Sequence, residues 1–237
     1  MTAPVINVRQ ARERGVAEFG WLSSRHSFSF GSYNDPSHMG FRSLRVINDD
    51  RVMPGQGFGT HPHRDMEIIS IVVDGALQHS DSMGNGSVIR PGDIQRMTAG
   101  TGVTHSEFNP SPAEEVRFLQ IWIEPETLGL EPGYEQHAFD IEHDRNRLVL
   151  VASRNGREGS LTVHQDVELS RAVIDRDSAI GYQVGEDRHI WIQVILGSVE
   201  LDGRVLSEGD GAALSGVEHI TLTGHEMASD VLLFDLG

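Results

Sequence analysis

Two short pairs carry the densest chemistry in the chain: His61-Pro62-His63 and His105-Ser106-Glu107. In an extended strand, residues i and i+2 point to the same face. Each pair therefore aims two metal-ligating groups in one direction. If the two strands face each other inside a barrel, three imidazoles and one carboxylate converge on a point. Imidazole nitrogen with carboxylate oxygen suits borderline divalent metals: Fe, Mn, Co, Ni, Cu or Zn. On an octahedral ion four such ligands leave two positions open for substrate or dioxygen. On a tetrahedral ion they close the shell, as in a structural site. A lone HxH on a strand is more often a surface pair than a ligand set, and a lone HxE is weaker still. Two such pairs flanking one buried run are harder to assign to chance.

The elements that must position these pairs read as strands. The 237 residues suffice for one large or two medium domains. With 26 Gly and 9 Pro, short strands joined by turns are favoured over long helices. His26-Ser27-Phe28-Ser29-Phe30 alternates strictly and predicts a half-buried strand. Leu44 to Ile47, Met66 to Val73 and Phe118 to Ile123 predict further strands. The run Ile68-Ile69-Ser70-Ile71-Val72-Val73 has the β-branched, nearly continuous character of a strand buried on both faces. One short helix is expected over residues 6–14, with Asn7 as N-cap and Gly15 as stop.

Residues 124–134 are rich in Pro, Gly and Glu, and a domain boundary is placed there, giving domains 1–125 and 126–237. The second half repeats the grammar of the first. Ile190 to Gly197 resembles Ile68 to Gly75, and Glu208-Gly209-Asp210 echoes Pro91-Gly92-Asp93. The reading is a degenerate duplication, all-β, with two barrels or sandwiches in tandem.

Charge and composition narrow the partners. The formal net charge is -16, from 35 acidic and 19 basic residues, and every basic residue is Arg. Such a surface repels phosphate backbones and anionic membranes, so neither nucleic acid nor membrane is an expected partner. The absence of Cys removes disulfides, thiolate chemistry and cysteine zinc sites. Met1 to Asn7 lacks the basic and apolar regions of a signal peptide, and no apolar run approaches the roughly 20 residues of a membrane span. A cytoplasmic location is expected.

Gly57-Phe58-Gly59-Thr60-His61-Pro62-His63-Arg64-Asp65-Met66-Glu67 resembles the first cupin motif. Pro91-Gly92-Asp93, followed by His105-Ser106-Glu107, resembles the second. Together with His26 to Gly31 and Asp35 to Phe41, the match is to pirins, bicupins of which some act as quercetin 2,3-dioxygenases. It is dense over residues 20–125 and weak beyond.

The resemblance implies two tandem cupin, jelly-roll-like barrels with few short helices. It also implies one divalent transition metal, iron foremost, held by His61, His63, His105 and Glu107. Cupins generally use the glutamate of the first motif as a ligand, here Glu67; pirins use that of the second. Glu67 is therefore expected beside the site or in the core. In the second half, Gln183 and Gly185 fall where His61 and His63 stand, His189 falls opposite Glu67, and His219 is followed by Thr221 instead of a glutamate. No metal is expected there.

Other residues are read more plainly. His26 and His38 could line the pocket mouth but fit a structural role better, and Phe28, Phe30 and Phe41 fit the core. His79, His137, His143, His164 and His225 are read as surface residues. Arg64 and Arg96 could bind an anionic oxygen. Two functions follow from the resemblance. One is a dioxygenase acting on a small flavonol-like aromatic and dioxygen, with Glu107 as base as well as ligand. The other is a non-enzymatic regulator acting through a protein partner.

Overall fold

The computed structural model describes residues 4–237. Ten strands cover the first part of the chain: β1 (Val5–Arg9), β2 (Gly15–Glu18), β3 (Leu22–His26), β4 (Leu44–Val52), β5 (Gly57–Asp74), β6 (Leu77–Asp81), β7 (Gly86–Ile89), β8 (Asp93–Phe108), β9 (Val116–Ile123) and β10 (Gly133–Ala138). Ten further strands follow from Val149 to Leu236. Helix is confined, among the described residues, to two 3-10 turns, Ala11–Glu13 and Arg157–Gly159. No described helix is long and apolar enough to cross a membrane.

The chain forms two compact units. One holds Gly15–Phe139 with Leu161–Gln165; the other holds the chain up to Arg14, Asp140–Ser160 and Asp166–Gly237. The linear division at 125/126 and these units do not coincide. After the irregular stretch 124–132 the chain returns as β10, antiparallel to β8.

In the first unit the strands run in the order β2-β3-β4-β9-β5-β8-β6-β7, an open path with β10 added on β8. Its inner face is layered. Ile68, Met97, Ala99 and Val103 form one apolar layer, with Trp122 packed against it. Leu22, Val52, Val72, Leu77, Ile89, Val116 and Phe118 form another. Between them runs a row of directly paired polar residues: His26↔Asn48, Asn48↔Gln120, Gln120↔Ser70 and Ser70↔Gln95. Directly opposed residues share a face, so all five point inward, and all are at most 7% exposed.

The second unit has no such row. Ile190, Ile192 and Val194 join Leu214, Leu222, Val231 and Leu233 in one uninterrupted apolar cluster. Its central strand, His189–Leu196, pairs with Gly211–Ser215 and Ser229–Leu236.

Two local expectations are corrected. Residues 6–14 are not one helix. Val5–Arg9 pairs antiparallel with Gly211–Ser215, as its β-branched residues favour, and only Ala11–Glu13 turns, with the Ala11 N–H donating to Asp210 Oδ1 at 2.6 Å. The strand over residues 26–30 instead ends at His26. Beyond it the Ser29 N–H donates to the His38 carbonyl at 2.7 Å, and Phe30 bridges to Tyr33. Phe28 is buried in the core, as its apolar character predicts.

Gly57 lies where β5 presses on β8. A Cβ there would stand 2.2 Å from the Glu107 carbonyl oxygen and 2.5 Å from the Phe108 Cα, both backbone atoms. Gly57→Ala is expected to cost about 1–3 kcal/mol of stability, measured by denaturant unfolding against the parent. The same substitution at Gly59, which has open space around it, is the control and should cost less.

Candidate metal centre

The structure brings the three histidines of the two pairs together. His61 stands directly opposite His105 across β5 and β8. The rings of His61, His63 and His105 have centroids 4.5 to 4.8 Å apart. Their ligand nitrogens lie within 4.8 Å of one another. A register shift between Phe58 and His61 places Phe58, not Gly59, opposite Glu107. Glu107 enters an overlapping group with His105 and His79, again within 4.8 Å.

Proton positions follow from the partners. The Gly59 carbonyl lies 2.8 Å from His61 Nδ1, so that nitrogen donates, leaving Nε2 to face His105. His61 Nε2 and His105 Nε2 are 3.0 Å apart. Two nitrogens bound at right angles to one ion at about 2.1 Å stand about 3.0 Å apart, so this donor set fits a metal. Burial, then the charge of His61, pushes His63 down to about 4. Burial, then the charges of His63, His61 and His79, pushes His105 down to about 3. Both imidazoles are thus neutral at neutral pH, the form that ligates.

Behind the histidines lies a shell of hydrogen bonds. Gln120 Nε2 donates to Glu107 Oε2 at 2.8 Å, and Ser70 Oγ donates to Glu107 Oε1 at 3.3 Å. Burial pushes the Glu107 carboxyl up, with the Gln120 bond opposing it. His79 is not a surface residue as expected; it is 1% exposed. Gln95 Nε2 is 3.1 Å from its Nδ1 and Asp81 Oδ2 is 3.1 Å from its Nε2. That arrangement calls for His79 to accept from Gln95 and to donate to Asp81. His79 Nδ1 also lies 3.5 Å from His105 Nδ1.

Glu67 is wholly buried. Its partner is His164, whose N–H donates to Oε2 at 3.3 Å and whose Nδ1 lies 3.3 Å from Oε1. His164 was thus misread as a plain surface residue, while His137, His143 and His225 are exposed. His26 is structural, with Nδ1 2.7 Å from Asn48 Oδ1, and His38 pairs with Asp35 at 2.7 Å. Arg96 is committed to Thr98 and Glu135, and Arg64 is exposed. In the second unit His189 Nδ1 is 2.7 Å from Ser215 Oγ.

Asp50 was not anticipated. It lies on β4 beside Phe118 and Ser24, is 4% exposed, and its Oδ1 has no hydrogen-bond partner among the described residues. Burial pushes it up to about 7, helped by the charges of Asp49 and Glu107 and opposed by the Ser24 hydroxyl.

Residues 7–123 match the Pirin family model, and residues 150–236 match the quercetinase C-terminal cupin domain model. A relative from Escherichia coli strain K12 named quercetin 2,3-dioxygenase is 48% identical over 232 residues, covering 98% of this chain and 99% of its own. The chain belongs to the pirin family. A pirin-like protein of Caulobacter vibrioides is 39% identical, covering 92% of this chain and 94% of its own. The crystal structure of the bacterial pirin YhhW from Escherichia coli, in complex with nickel(II), superposes on this pirin with a TM-score of 0.93. It is 47% identical, covering 98% of this chain and 99% of that one. The bicupin architecture of this pirin is thus shared with a solved relative that takes a divalent metal.

Two measurements probe this pirin's centre. His61→Ala and His105→Ala are each expected to lose most of the bound metal, read by elemental analysis of folded protein. Unchanged metal in both would remove these residues as ligands. In metal-free protein, the folded state holds the Asp50 proton to about 7, whereas an unfolded Asp releases it near 3.8. The folded chain thus binds more protons in this window, and stability is lost as pH rises through it. Asp50→Asn removes that dependence. Its stability relative to the parent should rise from pH 4 to 7 and level off above, measured by denaturant unfolding.

Proposed function

We propose that this pirin is a metal-dependent dioxygenase that opens the central ring of a flavonol such as quercetin and releases carbon monoxide. The observation that carries the reading is the convergence of three imidazoles, two of them held neutral by burial, beside one buried carboxylate whose donors are already in place. The relative named quercetin 2,3-dioxygenase, similar over nearly the whole chain, supports the substrate class.

His61, His63, His105 and Glu107 would hold one divalent ion, iron foremost. When bound, that ion supplies Lewis acidity that lowers the pKa of the flavonol 3-hydroxyl. The remaining work belongs to side chains. Glu107 takes the hydroxyl proton, and its burial makes it a stronger base than a solvated carboxylate. Gln120 and Ser70 fix both carboxylate oxygens, so the base is aimed before substrate arrives. Trp122 packs edge-on against His63 with centroids 4.9 Å apart and holds that ring against rotation. The balance is one flavonol and one dioxygen giving one ring-opened ester and one carbon monoxide. Both oxygen atoms enter the products.

The test is anaerobic loading with Fe, Mn, Co, Ni or Cu, followed by quercetin and air. Flavonol loss with carbon monoxide release is expected, and no turnover with any metal would sink the reading. Glu107→Gln should lower kcat by about a hundredfold or more in protein shown to retain metal.

A further inference from the structure

A pocket of about 160 Å³ opens in the first unit, beside the metal centre and separate from its ligands. Leu22, Phe30 and Phe58 give it apolar walls, while Ser24, Asn48 and Asp50 place polar groups along one side. Its volume matches a cavity that takes a single benzene ring, about 150 Å³. A three-ring flavonol exceeds it, so only one ring of such a molecule can enter.

The pocket adjoins the ligands by two routes. Phe58 stands opposite Glu107 across β5 and β8. Phe30 meets Trp122 edge-on at 5.3 Å, and Trp122 meets His63 edge-on at 4.9 Å. The walls of the pocket thus pack on the side chains that border the histidines.

We propose that this pocket is a subsite for one hydroxylated aromatic ring, with the Asp50 carboxyl accepting the ring hydroxyl. The inference rests on the flavonol reading above and specifies which end of the substrate is recognised. Two independent features carry it: a cavity sized and walled for one ring, and a polar atom on a side chain 4% exposed that lacks a partner among the described residues. A buried acceptor left unmatched costs free energy, so a ring bearing a hydroxyl is favoured over one without. The apolar walls alone would not discriminate.

The test uses the metal-loaded full chain with two one-ring probes, phenol and toluene, titrated by protein-observed NMR. Phenol should bind one to one. Asp50→Leu should weaken phenol about tenfold or more and leave toluene within about twofold, the effect of one buried hydrogen bond. Ala17→Trp, at a partly exposed lining position, should weaken both probes by obstruction. It carries the test if Asp50→Leu fails to fold. With flavonols, Asp50→Leu should raise KM for quercetin more than it lowers kcat, and the KM of a flavonol lacking pendant-ring hydroxyls should change little. Phenol affinity unaffected by both variants would overturn the subsite. Phenol weakened by the variants, in a parent that turns over no flavonol, would uphold the subsite and remove the dioxygenase reading. Flavonol turnover with KM unchanged in both variants would do the reverse.

Discussion

A carboxylate taken out of water must find donors, and the arrangement of the first unit follows from how Glu107 finds them. Its two oxygens are met by Gln120 and Ser70. Those residues in turn interrupt the apolar runs of their strands, and their pairing partners, Asn48 and Gln95, are polar too. One buried charge thereby imposes a polar stratum across five strands. The cost of burying that stratum is offset by the bonds His26–Asn48, Ser70–Gln120 and Gln95–His79 and by the apolar layers that close it above and below, although Gln95 Oε1 has no partner among the described residues.

The convergence of His61, His63 and His105 was legible because strand period acts locally: two residues apart on one strand suffices. The polar stratum was visible only as anomalies, Ser70 among isoleucines and Gln120 between leucine and isoleucine. Its meaning depends on register between strands distant in sequence, which no local pattern sets. His79 failed for a related reason. Between Gln78 and Ser80 it looks solvated, yet period two turns it inward with Leu77 and sets it against His105. Asp50 lies in a run of Asn and Asp that reads as a turn, whereas pairing with β3 and β9 makes it a strand. The residue 26–30 alternation was genuine but served a loop, where Ser29 bonds backbone instead of a neighbouring strand.

The second unit shows what the same framework becomes without this demand. Its central strand carries Ile190, Ile192 and Val194 on the inward face without interruption. Gln193, on the other face, satisfies its amide on the carbonyls of Gly209 and Asp210. An unbroken apolar interior is the simpler solution to folding. The split interior of the first unit is therefore a cost borne for chemistry.

The chain's route between the units bears on how it is made. Glu67 depends on His164, which arrives only after the chain has left for Asp140–Ser160 and come back. The opening strand Val5–Arg9 depends on Gly211–Ser215, near the other end. During synthesis the earliest strand therefore waits for nearly the last. The first unit cannot seal its buried glutamate until well past the midpoint of the chain, and the other unit, which holds both the earliest strand and the last, closes later still.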